Sequence, residues 1–502
     1  MSTNNIPASK RPNVIFLLAD DQRYGTIHAL GNKEIQTPNL DRLVNRGTSF
    51  LNAHIPGGTV SAICMPSRAM LNSGRTLFHL EDCGKNIPEN QVTMCQAFLN
   101  EGYHTVGIGK WHNGVKSYAR SFDRGDNIFF GGMWDHWNVP VNDFKEDGRY
   151  EKEINFTPNF TANQTPVTVR AERINAGVHS TDLFSSSAIR FIKEYQEEAP
   201  FFLYLSFLAP HDPRTMPEQF RNMYDPEKIS LPPNYQMMPN VCYGWAAKGR
   251  DENTEAYPRR PERICQHIAD YYSMISHIDW QIGNILDALE KKGILDDTII
   301  VFCGDNGLAI GQHGLMGKQN LYEHSIKLPL VMCGPGIPAG AVNNRLVYLL
   351  DIYPTLCNLC GIRVPETVEG YSFMPLLHDK NAVIRSELYL AFQARIRGIM
   401  DERYKLLEYR TNNLKLTQLF DLENDPWEQC NLFEMSGTDE IVARLRRRMF
   451  EMRDAWGDED ILFGQQYWEQ YRRYEEAALH GVAGPMGASM QTQVTSWGTE
   501  KK

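Results

Sequence analysis

No apolar run in this 502-residue chain approaches the roughly 20 residues that a membrane-spanning helix needs. The longest, "VIFLLA" and "FFLYLSFLA", are strand-sized. Positive charge is not in excess either. Lys and Arg number 51 against 61 Asp and Glu, a net charge of −10, which argues against a surface built to grip nucleic acid. No membrane or nucleic-acid partner is therefore expected. Internal repeats and low-complexity tracts are missing. The ten cysteines follow no regular spacing, and a chain this long buries enough core to do without a disulfide framework. The lone C-x-x-C, Cys357 to Cys360, has no second pair to complete a metal site. The opening residues, "MSTNNIPASKRPN", have no apolar h-region, so the expected compartment is the cytoplasm, or the periplasm or exterior if an export signal precedes them. In the cytoplasm the sequons at Asn155, Asn159 and Asn163 mark only a polar loop.

What is present is an alternation of short β-rich runs with helical patterns, the mark of an α/β layered fold. "NVIFLLADD" reads as a buried strand followed by two acids. "YHTVGIGKWH" leads to Lys110 and His112, "FFLYLSFLAPHDP" to His211 and Asp212, and "DTIIVFCGDNG" to Asp305 and Asn306. Ile264, Ile268, Tyr271, Ile275, Ile278, Ile282, Ile285 and Leu289 step by threes and fours, which predicts one long amphipathic helix stopped by Gly293. The character changes near residue 391. There "ARIRGIMDERYKLLEYR" and "LKLTQLFDLENDPWEQCNLF" suggest antiparallel strands with a turn at Asn412-Asn413, and then a helix near Glu440 to Trp456. The expected fold is α/β: a large mixed, mostly parallel sheet sandwiched by helices over residues 11–385, with a smaller C-terminal α+β domain carrying a short antiparallel sheet over 386–480 and a flexible tail over 481–502.

"SAICMPSRAMLNSGR" (Ser61 to Arg75) places Cys64 at the mouth of a short helix that Gly74 stops, with Arg68 one turn on. Free backbone N–H groups and the helix dipole favour negative charge at such an end. These residues alone leave two readings open, a place to hold an oxyanion beside a reactive side chain or a buried cysteine in a capped helix. The strand ends add weight to the first. Ligands of open α/β sheets bind outside the carboxyl ends of the strands, where four separate strands here carry polar residues. Asp20, Asp21, Asp305 and Asn306 offer hard oxygen ligands, suited to calcium or magnesium rather than zinc. Arg68, Lys110, Lys318, His112 and His211 add positive charge and proton donors. Such a set suits an ester carrying a compact oxyanion.

"CMPSRAMLNSGR" resembles the signature of the type I (formylglycine-dependent) sulfatases, of the alkaline-phosphatase-like superfamily. "LLADDQR", "GIGKWH", "LAPHDP", "FCGDNG" and "GKQNLYEHSIKLPLV" match that family's other motifs in order, and "FDLENDPWEQCNL" matches its C-terminal segment. The resemblance implies a sulfatase that releases inorganic sulfate from a sulfate ester, with a sulfated carbohydrate as first expectation. It implies that Cys64 is oxidised to formylglycine by a formylglycine-generating enzyme, and that the hydrate attacks sulfur while one of its oxygens binds the metal. Asp20, Asp21, Asp305 and Asn306 complete a site for Ca2+, with Mg2+ as the other candidate. Arg68 and Lys110 stabilise the hydrate and the sulfate charge, His211 and Lys318 bind sulfate and protonate the leaving oxygen, and His112 takes a proton so that sulfate is eliminated. The departures are Ser73, where threonine is common, and Asn113, where an apolar residue is usual and where the substrate pocket is expected to change.

Two other classes share this pattern: a phosphonate monoester or phosphodiester hydrolase of the same superfamily, separable by parallel assays on sulfate and phosphate esters, and a non-catalytic binding protein, whose sign would be a missing ligand. His54, His79, His104, His136 and His313 are read as surface or satisfied core histidines, while His313 or His324, flanking Lys318, could also line the pocket. The aromatic stretch Phe129 to Pro140 is read as loop packing, with a sugar-binding wall as the alternative. "YPRRPER" (Tyr257 to Arg263) is read as a solvated turn rather than an anion-binding one.

Overall fold

The structure, a computed structural model, describes residues 11–157, 166–241, 249–379 and 381–479. The expected tail at 481–502 and the sequons at Asn159 and Asn163 lie outside the described residues, and Asn155 is exposed on the strand Glu153–Phe156. A strand as continuously apolar as "NVIFLLA" must be covered on both faces, and it is. In chain order the large sheet comprises β1 (Asn13–Ala19), β2 (Gly47–Phe50), β3 (His104–Lys110), β4 (Arg124–Phe129), β5 (Phe201–Ser206), β6 (Thr298–Gly304), β7 (Leu330–Cys333) and β8 (Ala341–Asn343). Their order across the sheet is β8-β2-β7-β6-β1-β5-β3-β4. Only β7 runs against the others, so the sheet is mixed and mostly parallel, as expected. Along β1, Val14, Phe16 and Leu18 enter one hydrophobic cluster and Ile15, Leu17 and Ala19 the other, the period of two that an internal strand imposes.

Among the helices, α1 (Cys64–Ser73), α2 (Ser180–Glu194) and α3 (Pro261–Lys292) bear on the site. All eight apolar positions predicted along α3 are buried. Pro261 opens this helix, where its missing N–H costs nothing, and Gly293 ends it in the left-handed conformation at φ 76°. None of the described helices is long and apolar enough to cross a membrane.

The C-terminal sheet is formed by β9 (Leu388–Phe392), β10 (Ile396–Met400), β11 (Tyr404–Thr411) and β12 (Leu414–Asp421), all antiparallel, with the turn at Asn412-Asn413. Its fifth strand is supplied from far upstream by Gly57–Gly58, which pairs in parallel with Ala391 and Phe392. Then come α4 (Asp439–Ala455) and α5 (Leu462–Leu479). The Trp456 ring, just past α4, lies 5.7 Å from Phe78 and 5.5 Å from Tyr348, so the small sheet's layer packs into the same core as the large one.

Parallel pairing brings the ends of four strands to one edge. Ala19 is in register with Gly304, Leu18 with Ser206, and Ser206 with Gly109. Asp20, Asp21, Lys110, His112, His211, Asp305 and Asn306 all follow from these ends.

Candidate active site

Cys64 is the first helical residue of α1, one position further in than expected, and Gly74 closes the helix at φ 66°. Its Sγ lies 3.6 Å from His112 Nδ1 and 3.7 Å from Lys110 Nζ. One oxygen each of Asp20 and Asp305 joins Sγ in a group whose atoms all lie within 4.8 Å of one another. Lys110 Nζ donates to Asp20 Oδ2 at 2.5 Å, and Lys318 Nζ pairs with Asp21 Oδ1. Asp305 Oδ1 accepts the Asp21 N–H at 3.0 Å, and Asn306 Nδ2 donates to Asp21 Oδ1 at 2.7 Å. Arg68, fully buried, donates from Nε to Asp305 Oδ2 at 2.7 Å and from Nη1 to the Lys110 carbonyl at 3.1 Å and Ser206 Oγ at 2.5 Å. The structure therefore gathers every residue assigned a catalytic or metal-binding role from the sequence. Asp21 and His112 hold left-handed backbones, at φ 66° and 70°, a strain that non-glycine residues bear only where the surrounding structure enforces it.

Charge follows from this packing. Burial pushes the Asp20 carboxyl up, but Lys110, His211 and Arg68 outweigh it and hold the group below its usual range. Burial, with Asp20 adding to it, leaves Asp305 above its usual range. Burial drives His112 down, and Lys110 and Arg68 drive it further, so it stands as neutral imidazole. Burial also raises the Cys64 thiol against the pull of Lys110 and Lys318, the reverse of the lowered pKa of a thiolate nucleophile. His211 Nδ1 donates to the Asp212 carbonyl at 2.9 Å, which leaves Nε2, 3.6 Å from Asp21 Oδ2, facing the site.

A hard cation fits this set. Asp20 Oδ1 and Asn306 Oδ1 are buried oxygens without a hydrogen-bond partner, and such oxygens in native proteins have a reason. Oxygen donors of this kind suit calcium or magnesium.

A cavity of about 250 Å³ opens over Cys64, His112, His211 and Lys318. Arg68 and Lys110 are not among its lining residues; they sit behind Cys64, on the carboxylates. Four residues that the sequence patterns do not single out belong here. Ser206 accepts from Arg68, and Arg250, Asp251 and Gln319 line the cavity. Arg250 forks onto Asp212 at 2.6 and 2.8 Å, and Gln319 donates to Asp251 at 2.6 Å. Their one local signal is adjacency of Gln319 to Lys318 and of Ser206 to the strand end.

Several expectations need correction. Asn113 does not reach the pocket. It is buried, and its Nδ2 donates to the Met65 and Gly84 carbonyls at 3.0 and 2.7 Å, bracing the loop behind Cys64. Neither His313 nor His324 lines the pocket: His313 stacks on Tyr322 with ring centres 4.1 Å apart, and His324 is buried beside it. The stretch Phe129 to Pro140 packs only in part. Phe130 packs on Tyr150, whereas Met133 and Trp134 line a cavity next to the site. In "YPRRPER", Arg259 is buried on Glu252 rather than solvated.

Residues 12–362 match the family model described as Sulfatase. The chain belongs to the sulfatase family. It is a sulfuric ester hydrolase of the alkaline-phosphatase-like superfamily, and the family implies a metal ion and a formylglycine in general. Residues 311–455 also match the model described as N-sulphoglucosamine sulphohydrolase, C-terminal. N-acetylglucosamine-6-O-sulfatase of Bacteroides thetaiotaomicron is 26% identical over 90% of this chain and 88% of its own length. Arylsulfatase K of Homo sapiens is 29% identical, covering 85% and 79%. A solved structure in complex with its substrate D-glucosamine-2-N,6-O-disulfate has a TM-score of 0.69 at 22% identity, covering 90% of this chain and 99% of that chain. Phosphonate monoester hydrolase of Agrobacterium radiobacter has a TM-score of 0.70 at 21% identity, covering 89% and 96%. At these identities the two structures speak for the fold.

Proposed function

We propose that this sulfatase hydrolyses the sulfate ester of a carbohydrate, using a formylglycine made from Cys64 and a calcium ion held by Asp20, Asp21, Asp305 and Asn306. The observation that carries this reading is the position of Cys64. It opens a helix, touches His112 and Lys110, and shares a cavity wall with His211 and Lys318, beside buried oxygens that lack partners. The carbohydrate is supported by relatives named for sugar sulfates and by the Met133 and Trp134 wall next to the site. When present, the formylglycine supplies an oxygen nucleophile and the cation a positive centre for oxygens.

The chain's own residues do the rest. Lys318, on the cavity wall, holds sulfate oxygens. Arg68, behind Cys64, pulls the Asp20 and Asp305 carboxyls down against burial and aligns them rather than touching sulfate. Lys110 bridges Asp20 and position 64. His211 Nε2, the ring nitrogen left facing the site, protonates the departing alcohol, and His112 Nδ1 is the proton acceptor beside position 64.

The test pairs the mass of the tryptic peptide containing residue 64, from protein of the native host, with sulfate release from a sulfated sugar and turnover of a phosphonate ester. The aldehyde mass and a preference for the sulfate ester support the reading. An unmodified thiol in fully active protein, or a preference for the phosphonate ester, overturns it.

A further inference from the structure

The inner cavity does not end at the sulfate position. His112, Gly132 and Met133 line both it and a larger neighbour of about 600 Å³. The junction depends on Gly132: a Cβ there would lie 2.7 Å from His112 Nε2. Met133 and Trp134 give the outer cavity an apolar wall of the kind that covers a sugar face.

Its charge is the informative feature. The chain carries ten more acidic than basic side chains, yet among the described residues no carboxylate lines this cavity, whereas Lys85 and Arg170 do. The two come from separate parts of the chain. Lys85 follows the turn at 81–84, and Arg170 ends the strand Val167–Arg170. Neither forms an ion pair among the described residues, in a molecule where most arginines are paired; even Glu153, opposite Arg170 across the hairpin, makes none with it. Two unpaired cations on the wall of a cavity continuous with the catalytic pocket raise the local concentration of anions and favour a second negative group on the same ligand.

We propose that Lys85 and Arg170 form a second anion subsite, which receives a carboxylate or a further sulfate on the sugar next to the one whose ester is cleaved. This rests on the carbohydrate reading above and narrows it to polyanionic glycans.

Binding tests it without turnover. In a Cys64→Ala background, calorimetry compares three disaccharides that each carry one ester sulfate: one with a neutral second sugar, one with a uronate, and one with a second sulfate. At low salt at least one charged disaccharide binds about tenfold tighter than the neutral one, and the gain shrinks in high salt. The pair Lys85→Ala and Arg170→Ala, both exposed positions, removes the gain and leaves the neutral ligand's affinity unchanged; Lys85→Glu with Arg170→Glu reverses it. Whichever charged ligand loses most in the variant identifies the anion. The inference is overturned alone if the neutral disaccharide binds and charge adds nothing, or if the gain survives the double variant. If no sulfated disaccharide binds while an aryl sulfate does, the carbohydrate reading falls and takes this inference with it.

Discussion

Arg68 shows how much of this site depends on single buried side chains. Its guanidinium bonds Asp305, Ser206 and the Lys110 carbonyl at once, with Nη2 3.8 Å from Asp20. Lysine cannot reproduce that fork. Removing one partner of a buried ion pair costs about 3–5 kcal/mol, so Arg68→Ala is expected to lower stability by about that much in denaturant titration. It should also lower kcat/KM by at least about a hundredfold, the equivalent of roughly 3 kcal/mol. His136 is a quieter case. Its Nε2 lies 2.9 Å from the His211 carbonyl and its Nδ1 2.8 Å from Ser180 Oγ, at the start of α2. Burial pushes it down to about 4, so it is neutral, with Nε2–H donating. His136→Ala is expected to lower kcat more than it raises KM, because it frees the loop that aims His211. His136→Gln, which keeps an N–H donor, should recover most of the loss. Equal effects of the two variants would show that only volume matters there.

The element that ties the molecule together is the two-residue strand Gly57–Gly58. Gly57 sits at φ +116°, and a Cβ there would lie 2.1 Å from the Ala391 carbonyl oxygen and 2.8 Å from a Leu321 methyl. Backbone strain and overpacking each cost about 1–3 kcal/mol. Gly57→Ala is therefore expected to destabilise the protein by about 3 kcal/mol, read as a fall in Tm. Activity should fall as well, because the strand begins seven residues ahead of Cys64. Full activity at an unchanged Tm would mean that β9 moves aside without cost. Elements formed by local periodicity are legible in the residues themselves. The face and stop of α3 follow from isoleucines at threes and fours and from Gly293, and β1 follows from an unbroken apolar run. The Gly57–Gly58 strand is not legible in that way, because two glycines carry no pattern and its partner lies more than 300 residues away.

At the scale of the whole molecule, a buried charge network joins the catalytic layer to the C-terminal sheet. Lys405, on β11, lies 3.0 Å from Glu323 and 2.8 Å from Glu428, and His54 Nε2 lies 3.1 Å from Glu323. One lysine reaches both carboxylates but its single charge cannot neutralise two. Glu323 is held well below its usual range, its burial outweighed by Lys405 and His54. Glu428 is pushed up to about 7 by burial and by Glu323, against Lys405. A proton held more tightly in the folded than the unfolded state stabilises the fold below the ordinary carboxylate range and is lost as pH rises through the folded value. Relative to Glu428→Gln, which is neutral throughout, the Tm of the wild type is therefore expected to fall between about pH 5 and 8, on top of the opposite trend that buried histidines such as His136 impose on both proteins. Parallel pH profiles of the two proteins would remove Glu428 as the cause.

By itself the sequence determined the kinds of element, the polar residues at four strand ends, the helix that opens at Cys64 and, through six motifs in order, the family. These are short-range properties, written in periods of two and of three to four and in residues a few positions apart. Tertiary structure alone decided which atoms meet: Arg68 behind the carboxylates rather than on the cavity wall, Asn113 turned inward to brace a loop, His136 beneath His211, and Lys85 facing the same cavity as Arg170. Those outcomes depend on how segments hundreds of residues apart pack, and packing is set by the summed shape and charge of all neighbours, which no local pattern records.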